Sequence, residues 1–435
     1  MLPAVEAESL ILKLVQPLSA ERDRQIVLLP AALGRILATT VTSHLDFPHW
    51  DNSAMDGYAV RYSDVLHCTT EKPVTLEIVE EIPAGQPPQK VIQPGQAARI
   101  LTGSMLPVGT DSVVMQEQTQ RQGDRVTVLR APEPESFVRH RASFYQANSP
   151  LLAAGIKLNG PEIAVLAAAQ CTEIPVYRRP KVAILSTGDE LVEPDQALEP
   201  GQIVDSNQYA LAALLSLAGA EPTRLGIVPD RPSALKAAIA QAVTQADMVL
   251  SSGGVSVGDY DYVDRILQEL GAELHIRAVA VKPGKPLTVA TFGAQTAANM
   301  QEQLETASSP TLYPARQVLY FGLPGNPVSA LVSFWRFVEP ALRKLSGLSS
   351  HWRPVITAAR SQRELKSGGL RETYLWGQLR AEPTGFSFLP AGGSYSSGNL
   401  INLAQSNALA IIPIGKTQIM AGETVQVMVT HRPLT

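Results

Sequence analysis

Acidic side chains follow two apolar segments in the middle of the chain, in positions suited to holding a metal ion. Asp189 and Glu190 come shortly after the apolar run KVAILS, and Asp230 follows the run LGIV. Carboxylates are preferred ligands of Mg²⁺, which keeps other positions for water or phosphate oxygens. These acids predict a metal-assisted phosphate site. An acid pair in a surface turn or at a helix start is the alternative for each one taken alone.

A glycine-rich segment, SSGGVSVGDYDY at 251–262, follows the apolar run ADMVL. Gly253, Gly254 and Ser256 can let backbone amides approach a phosphate. Asp261 adds a carboxylate, which a cation would have to separate from that phosphate. The alternative is a tight turn in which Asp259 or Asp261 caps the next helix.

Two lysines, Lys282 and Lys285, bracket a Pro-Gly turn in the sequence KPGKP. Their ammonium groups can converge on one anion. Lysines in turns are usually only solvated, but here the sequences on both sides, AVAV and LTVA, are apolar. That context favours an anion site.

A fourth loop, GLPGNP, joins the apolar run VLYF to a predicted helix and includes Gly322, Pro324, Gly325 and Asn326. Asn is a good helix cap, and proline suits the first helical position. A helix start offers free N–H groups and partial positive charge to an anion. A well-formed strand-to-helix connection is the alternative.

Strands and helices alternate over residues 180–345, which predicts a mainly parallel sheet covered by helices on both faces. Ligands bind beyond the carboxyl ends of such strands, so the four loops should meet at one edge. The other predicted elements are helices over 5–16 and 30–40, a segment at 151–171 that is helical after Pro161, a helix capped by Ser206 or Asn207, a β-rich region at 46–146, a mobile surface insertion at 294–317 and a second small β domain from about 350.

Composition narrows the class of protein. The 435 residues are too many for one core, and the 45% hydrophobic and 17% charged residues are ordinary for a globular protein. A net charge of -4 argues against general nucleic-acid or membrane binding. Two distant cysteines support neither a disulfide framework nor a zinc site. Without a basic leader or an apolar run of about 18 residues, we expect a cytoplasmic protein.

Seven runs, in this order along the chain, are together far more specific than any one loop. They are NSAMDGYAV (52–60), LTG (101–103), STGDEL (186–191), SN (206–207), GGVSVGDYDY (253–262), KPGKP (282–286) and GLPGNPVSA (322–330). With these runs the chain resembles the molybdopterin molybdenumtransferases, the molybdenum insertases of molybdenum-cofactor biosynthesis, and is similar to the E domain of gephyrin.

The resemblance implies a multidomain α/β plus β fold and an elongated homodimer. Its α/β domain would be similar to molybdopterin adenylyltransferase, and its C-terminal domain would be β-barrel-like. The implied division is N-terminal helices and part of a linking domain (1–45), a small β-rich domain (46–144), the rest of the linking domain (145–178), the α/β molybdopterin-binding domain (179–346) and the C-terminal β domain (347–435).

The resemblance also implies the reaction: adenylylated molybdopterin and molybdate give molybdenum cofactor and AMP with the help of Mg²⁺. The implied catalytic acids are Asp189, Glu190, Asp230 and Asp261, of which Glu190, Asp230 and Asp261 would hold the metal. The implied substrate-binding residues are Asp56, Thr102, Ser206, Asn207, Gly253, Gly254, Ser256, Lys282, Lys285, Gly322, Pro324, Gly325, Asn326, Arg371 and Ser397. Asp56 and Thr102 would face the strand edge of the other subunit.

The chain departs from the family pattern in three places. Phe137, Ala142, Ser143 and Phe144 do not fit, and Phe144 stands where an acid is expected; Trp376 stands where arginine is usual; and the insertion at 294–317 is a further difference. Three alternatives stay open. The first is the preceding adenylyltransferase, which would share the α/β domain and would also be an interaction partner; the second is a non-catalytic pterin-binding scaffold, which the Phe144 change would permit; the third is a general Mg²⁺-dependent phosphatase.

Overall fold

The computed structural model describes residues 1–83, 85–253, 260–304 and 316–430, and of 260–262 and 303–304 it describes the backbone alone. Contacts divide the chain into a larger unit (1–39, 155–159 and 174–435) and a smaller unit (40–154 and 160–173). The five-part division stays a prediction. Within the described ranges, none of the helices combines the length and apolar character needed to cross a membrane.

Most of the predicted helices form, whereas the short helices α2 and α10 and the helix α7 were not predicted. The helices are α1 (Ala4–Leu14), α2 (Tyr62–Val65), α3 (Gly160–Ala168), α4 (Asn207–Leu217), α5 (Pro232–Gln245), α6 (Tyr260–Glu269), α7 (Ala294–Leu304), α8 (Pro327–Ser333), α9 (Glu339–Leu345) and α10 (Leu400–Ala404). A π-helical segment (Phe334–Val338) joins α8 to α9, so the predicted closing helix is continuous.

The predicted helix over 30–40 is wrong. Only a 3-10 turn at Leu29–Ala31 forms there. Gly34 has a positive φ of 75°, and Leu37 instead makes an antiparallel bridge with Val176. Tertiary pairing overrides the local periodicity in this segment.

The strands before the central sheet are β1 (Arg24–Leu28), β2 (Val41–Thr42), β3 (Asn52–Ser53), β4 (Gly57–Val60), β5 (Val74–Ile82), β6 (Gln96–Ile100), β7 (Ser112–Met115), β8 (Thr119–Gln122), β9 (Arg125–Val128), β10 (Val138–Arg139), β11 (Pro150–Leu152) and β12 (Glu173–Tyr177). In the smaller unit, six of them form one sheet in the order β7-β4-β6-β5-β9-β8. This confirms the predicted β-rich region.

The remaining strands are β13 (Lys181–Thr187), β14 (Leu191–Val192), β15 (Ile203–Val204), β16 (Glu221–Val228), β17 (Met248–Gly253), β18 (Glu273–Ala278), β19 (Val281–Lys282), β20 (Pro286–Phe292), β21 (Val318–Leu323), β22 (Ile356–Ser361), β23 (Leu365–Lys366), β24 (Glu372–Glu382), β25 (Gly385–Pro390), β26 (Ala408–Ile412), β27 (Gln418–Ile419) and β28 (Thr424–Val429).

The central sheet of the larger unit has the order β16-β13-β17-β21-β20-β18. The first four strands are parallel, whereas β20 and β18 are antiparallel to their neighbours. The predicted mainly parallel sheet is confirmed. Because β20 runs the opposite way, its beginning lies at the edge where the parallel strands end.

Two cores cover the sheet, one on each face. On β13, Val182 and Ile184 point into one core, while Ala183 and Leu185 point into the other. Strands buried on both faces are expected to be apolar throughout, and residues 182–187 of β13 are all buried. The predicted covering of both faces is confirmed.

The C-terminal strands close into a barrel. Strands β24, β25, β22, β28 and β26 pair in that order, and β24 also pairs with β26. β24 is joined to the α/β part through a parallel pairing of Val281 with Glu372. The predicted barrel-like domain is confirmed.

The predicted insertion at 294–317 is partly wrong. Residues 294–304 form α7, whose Ala297 and Met300 are buried in one core of the sheet. Residues 305–315 lie outside the described ranges. The segment is mostly polar, so its composition did not indicate that a few apolar residues would pack its first half against the sheet.

Candidate active site at the carboxyl edge of the sheet

Three of the four predicted acids gather where β13 and β16 end. Thr187 closes β13, and its hydroxyl donates a hydrogen bond of 2.6 Å to Asp230 Oδ1. The Asp230 backbone N–H donates to Asp189 Oδ1 at 3.0 Å. Glu190 lies against the same turn, since a Cβ built on Gly188 would be 2.7 Å from Glu190 Oε2. Asp189, Glu190 and Asp230 are exposed and free to meet a ligand.

Gly253 ends β17 beside this turn. Its partner across the parallel pair is Thr187, and its φ is +94°. A Cβ at this position would lie 2.2 Å from the carbonyl oxygen of Thr187. A side chain is therefore excluded both by the backbone angle and by the close approach of β13.

Asn207, the first residue of α4, connects two of the predicted loops. Its side-chain Nδ2 donates to Ser252 Oγ at 2.6 Å and to the Gly325 carbonyl at 2.8 Å. Asn207 is only 7% exposed. Its amide therefore positions the ends of β17 and β21, while its Oδ1 has no hydrogen-bond partner among the described residues.

The predicted cap of α4 is wrong. Ser206 occupies the capping position but makes no side-chain cap hydrogen bond. Asp205 takes that role, because its Oδ1 accepts from the backbone N–H groups of Asn207 at 3.1 Å and Gln208 at 3.3 Å. Ser206 thus keeps a half-buried hydroxyl at the helix start that the cap does not use.

The lysine loop lies against α8. Gly284 has a φ of +108°, and a Cβ there would be 3.0 Å from Ser333 Oγ. Lys282 is exposed and Lys285 is half-buried. Arg371 joins them, since its guanidinium donates to the Val281 carbonyl at 3.3 Å. Three cationic side chains thus belong to one short stretch of this edge.

The start of α8 offers fewer donors than its sequence predicts. Asn326 holds the capping position without a side-chain hydrogen bond, and Pro327 follows as the first helical residue. The Val328 N–H donates to the Ser397 carbonyl at 3.0 Å. Ser397 therefore lies at this edge. Its carbonyl accepts the Val328 N–H, one of the helix-start N–H groups that the sequence predicts to face an anion.

The glycines of the fourth loop are explained by close packing. A Cβ on Gly322 would be 3.1 Å from Thr288 Cβ, and one on Gly325 would be 3.4 Å from Gly253 Cα. Pro324 is buried between them, whereas Gly325 and Asn326 are exposed. The loop presents backbone to the site edge.

In the smaller unit, the structure brings together the other two predicted residues. Asp56 Oδ1 accepts from the backbone N–H of Thr102 at 2.7 Å and from its hydroxyl at 2.8 Å. These two hydrogen bonds, with the positive charge of Arg99, outweigh partial desolvation and hold the pKa of Asp56 below its usual value.

Three predicted site residues, Gly254, Ser256 and Asp261, have no described side-chain position. Gly254 and Ser256 lie outside the described residues, as does Asp259. Asp261 is in the first turn of α6, but only its backbone is described. Their roles stay predictions.

Phe144 and Trp376, two of the expected departures from the family pattern, have different surroundings. Phe144 is 73% exposed in the smaller unit. Trp376 is fully buried in the core that the barrel shares with the α/β part, with its ring 4.8 Å from that of Tyr395. The tryptophan is therefore a packing residue of the larger unit.

The acids suit Mg²⁺ in number and type. Among the described residues, no three carboxylate, imidazole or thiol side chains converge as a complete metal site. Mg²⁺ usually takes one or two carboxylates and fills its other positions with water and substrate phosphate. Glu190 and Asp230, with Asp189 joined to Asp230 through a backbone hydrogen bond, fit that pattern.

Sequence reasoning missed three residues that support this edge: Thr187, Asp205 and Ser252. Each contacts a predicted site residue through the hydrogen bonds given above. Thr187 and Ser252 lie at the ends of β13 and β17, and Asp205 immediately precedes a helix. Polar residues at strand ends and before helices are the pattern that could have indicated them.

Comparison with known families gives three matches along the chain. They are the MoeA N-terminal region (domain I and II) over residues 2–169, a probable molybdopterin binding domain over 183–344, and the MoeA C-terminal region (domain IV) over 358–430.

Individual relatives match over nearly their whole length. A molybdopterin molybdenumtransferase from Nostoc sp. is 56% identical over 428 residues, covering 98% of this chain and 94% of that protein. Another from Haemophilus influenzae is 34% identical, covering 95% and 96%. The crystal structure of a molybdopterin biosynthesis moeA protein from Pyrococcus horikoshii superposes with a TM-score of 0.80 at 28% identity, covering 99% and 100% of the two chains.

Proposed function

Because this chain belongs to the MoeA family of molybdopterin molybdenumtransferases, we propose that it inserts molybdenum from molybdate into adenylylated molybdopterin and releases AMP. The observation that supports this most directly is the linkage of Thr187, Asp230 and Asp189 at the end of β13. It fixes two carboxylates beside a glycine backbone that a nucleotide can approach.

The basic side of the edge would hold the anionic groups. Lys282 and Lys285 would contact molybdate or the pterin phosphate, and Arg371 would complete the pocket. An ammonium acts as a mobile point charge on such oxygens, whereas a guanidinium can bind two of them at once. The half-buried Lys285 would be the more fixed of the two lysines.

The acidic side would act on the phosphoanhydride that joins AMP to molybdopterin. The Thr187 hydroxyl orients the Asp230 carboxylate, and the Asp189 carboxylate accepts a hydrogen bond from the Asp230 backbone. The positions of the two carboxylates are therefore fixed relative to each other. Glu190, Asp230 and Asp261 would hold Mg²⁺, and Asp189 would position the attacking water or oxyanion. When bound, Mg²⁺ neutralises negative charge that develops on the phosphate oxygens.

The first experiment measures molybdate-dependent AMP release from adenylylated molybdopterin with Asp230→Asn. Asparagine keeps the acceptor for Thr187 but removes the charge, so we expect the rate to fall on the order of 100-fold. Asp195→Asn, an exposed acid of the same unit, is the matched control and should leave the rate unchanged. A near-normal rate for Asp230→Asn would show that this carboxylate is not catalytic. Asp261→Asn tests the remaining acid in the same assay.

The same assay separates the alternatives. Nucleotidyl transfer from ATP without molybdate would favour an adenylyltransferase, and pterin binding without turnover would favour a scaffold. Hydrolysis of adenylates that lack pterin would favour a general phosphatase. A cytoplasmic location and binding to the upstream adenylyltransferase stay predictions from the sequence.

A homodimer in which each site combines both units is the second part of the proposal. Sedimentation should then give twice the chain mass of 46.7 kDa. Subunits carrying Asp56→Asn can be mixed with subunits carrying Asp230→Asn. If Asp56 serves the site of the other subunit, each mixed dimer has one intact site, and random exchange restores about a quarter of the wild-type rate. No recovery, with exchange verified, would mean that the two residues serve the same subunit's site or separate sites.

A further inference from the structure

A cavity lies at the edge of the central sheet opposite to the candidate active site. It has a volume of about 300 Å³, and its lining includes Arg179 and Pro180 just before β13, and Leu217 at the end of α4. The seven residues of β13 separate it from the carboxyl edge by roughly 23 Å, at about 3.3 Å per residue. It is therefore distinct from the candidate active site.

Two arginines that line this cavity are neutralised by neighbouring carboxylates. Arg178 makes ion pairs with Asp23 at 3.0 Å and Asp247 at 2.7 Å. Arg343 makes one with Glu339 at 2.6 Å. These pairs add no net charge to the cavity.

Three other cations of the lining have no such neutralisation. No carboxylate within the described ranges lies within ion-pair distance of Arg35, Lys157 or Arg179; the imidazole of His351 also lines the cavity. Lys157 and Arg179 are exposed, whereas Arg35 is half-buried. The cavity therefore carries an excess of positive charge.

Arg35 is held in place in spite of that excess. Its guanidinium donates to the Tyr177 carbonyl at 2.8 Å, and its backbone carbonyl accepts from the Leu158 N–H. Burial and then the positive charge of Arg179 lower the pKa of Arg35, while the charge of Glu221 opposes them. A fixed cation that is repelled by its neighbour favours an anion between the two.

The apolar part of the lining determines what kind of anion fits. Ile36, Pro180, Leu217 and Leu348 share the cavity with the cations. Its 300 Å³ corresponds to about ten water molecules of roughly 30 Å³ each. A bare oxyanion would fill only part of that space and would leave the apolar wall in contact with water.

We propose that this cavity binds an organic phosphate, a phosphate monoester whose dianion is held by Arg35, Lys157 and Arg179 and whose apolar part lies against Leu217 and Leu348. Arginine and lysine together give charge-assisted hydrogen bonds to several phosphate oxygens. The site would be separate from the one that acts on adenylylated molybdopterin.

A simpler explanation is that the cations only balance the negative end of α4. The last carbonyls of that helix already accept internal hydrogen bonds: Leu214 from the Ala218 N–H, Ser216 from the Gly219 N–H and Leu215 from the Ala220 N–H. Because these carbonyls are already hydrogen-bonded, the end of α4 has less partial negative charge for the three cations to balance. The simpler explanation predicts no ligand binding at all.

The test uses the full chain carrying Lys282→Ala and Lys285→Ala, which removes the lysines of the candidate active site. Isothermal titration with phenyl phosphate at low salt should detect binding. Adding Lys157→Ala and Arg179→Ala should weaken it by about 100-fold or more, because the two changes remove two charge-assisted contacts to the phosphate. Lys72→Ala with Arg125→Ala, two exposed cations of the smaller unit, is the matched control and should change nothing.

Three outcomes would overturn the proposal. The first is no binding of phenyl phosphate up to about 10 mM, a Kd equivalent to only about -2.7 kcal/mol. The second is binding that Lys157→Ala and Arg179→Ala leave unchanged. Circular dichroism checks that this variant is folded. Arg179→Glu repeats the test with a single substitution. The third is inorganic phosphate binding as tightly as phenyl phosphate, which would remove the role of the apolar wall.

Discussion

At the scale of single residues, Gly253 carries the strictest requirement in the candidate site. Its φ is +94°, and a Cβ would lie 2.2 Å from the Thr187 carbonyl oxygen. Neither β17 nor β13 can move there without disturbing the pairing that ends both strands. The close approach of two backbones is what leaves the site edge open.

Gly253→Ala should therefore lower the free energy of unfolding by about 2–4 kcal/mol, combining the positive-φ penalty with steric overlap. Gly219→Ala is the matched control, because Gly219 has a similar φ of +90° and no atom within 4 Å of a built Cβ. It should lose only about 1–2 kcal/mol. Equal losses in urea unfolding would mean that the Thr187 contact does not matter.

Asp56 gives a second residue-scale prediction, in which the pKa is the quantity measured. Thr102→Val removes the hydroxyl hydrogen bond but keeps the backbone one, so the pKa of Asp56 should rise toward its ordinary value. A carboxyl whose pKa is lower in the folded state than in the unfolded state stabilises the fold above its unfolded pKa. That stabilisation is lost as the pH falls through the folded pKa. The variant has less of it to lose, so its free energy of unfolding should fall less on acidification.

A pH titration followed by NMR at the Asp56 carboxyl checks that prediction. Thr127→Val is the control, because the Thr127 hydroxyl pairs with Thr75 on the same unit and contacts no carboxylate in the hydrogen bonds described. An unchanged Asp56 pKa in Thr102→Val would show that the backbone N–H alone sets it.

At the scale of elements, the beginning of α4 shows how a helix start organises the site. Asp205 accepts hydrogen bonds from two helix N–H groups, and its Oδ2 also accepts from the Gln208 side chain at 2.7 Å. The cap fixes Asn207, which in turn holds Ser252 and Gly325. One helix end thus controls the spacing of two strand ends.

Asp205→Ala should lower the free energy of unfolding by about 1–2 kcal/mol, the usual cost of losing a helix cap. Ser206→Ala, one position on, should cost only a few tenths of a kcal/mol, because its hydroxyl makes no cap hydrogen bond. Chemical denaturation of both variants tests this. A larger loss for Ser206→Ala would return the capping role to the residue that the sequence favours.

At the scale of the whole molecule, four charges, two on buried aspartates and two on half-buried arginines, connect the N-terminal segment of the larger unit to its sheet. Asp23 and Asp247 each pair with Arg178 and Arg316, at distances of 2.7–3.0 Å. Burial alone would raise the pKa of Asp23, but hydrogen bonds from Arg316 and the Ser19 N–H, with the charges of both arginines, hold it below its usual value.

Asp23→Asn should lower the free energy of unfolding at pH 7 by roughly 3–5 kcal/mol, because it removes the charge of a buried carboxylate that pairs with two half-buried arginines. The stabilisation by Asp23 is present above its unfolded pKa and disappears as pH falls through the folded value, so the variant and wild type should converge in acid. Asp195 is exposed in the same unit, so Asp195→Asn should show the same dependence of the free energy of unfolding on pH as wild type. A constant gap down to pH 3 would exclude the carboxylate charge as the cause.

The sequence alone determined the succession of strands and helices along residues 180–345, the β-rich regions on either side, and the loops that reach the site edge. These features depend on local periodicity and on glycine and proline at chain turns, which act over a few residues. For the same reason the sequence placed Asp189, Glu190 and Asp230 correctly at one edge.

Only the tertiary structure decided which side chains hold that edge together. Asn207 became a link between loops, Asp205 the cap, and Trp376 a core residue, while α7 formed where the composition indicated an insertion. The antiparallel direction of β20 brought Lys285 to the ends of the parallel strands. Each depends on contacts between residues far apart in the chain, for which no local pattern specifies the partner.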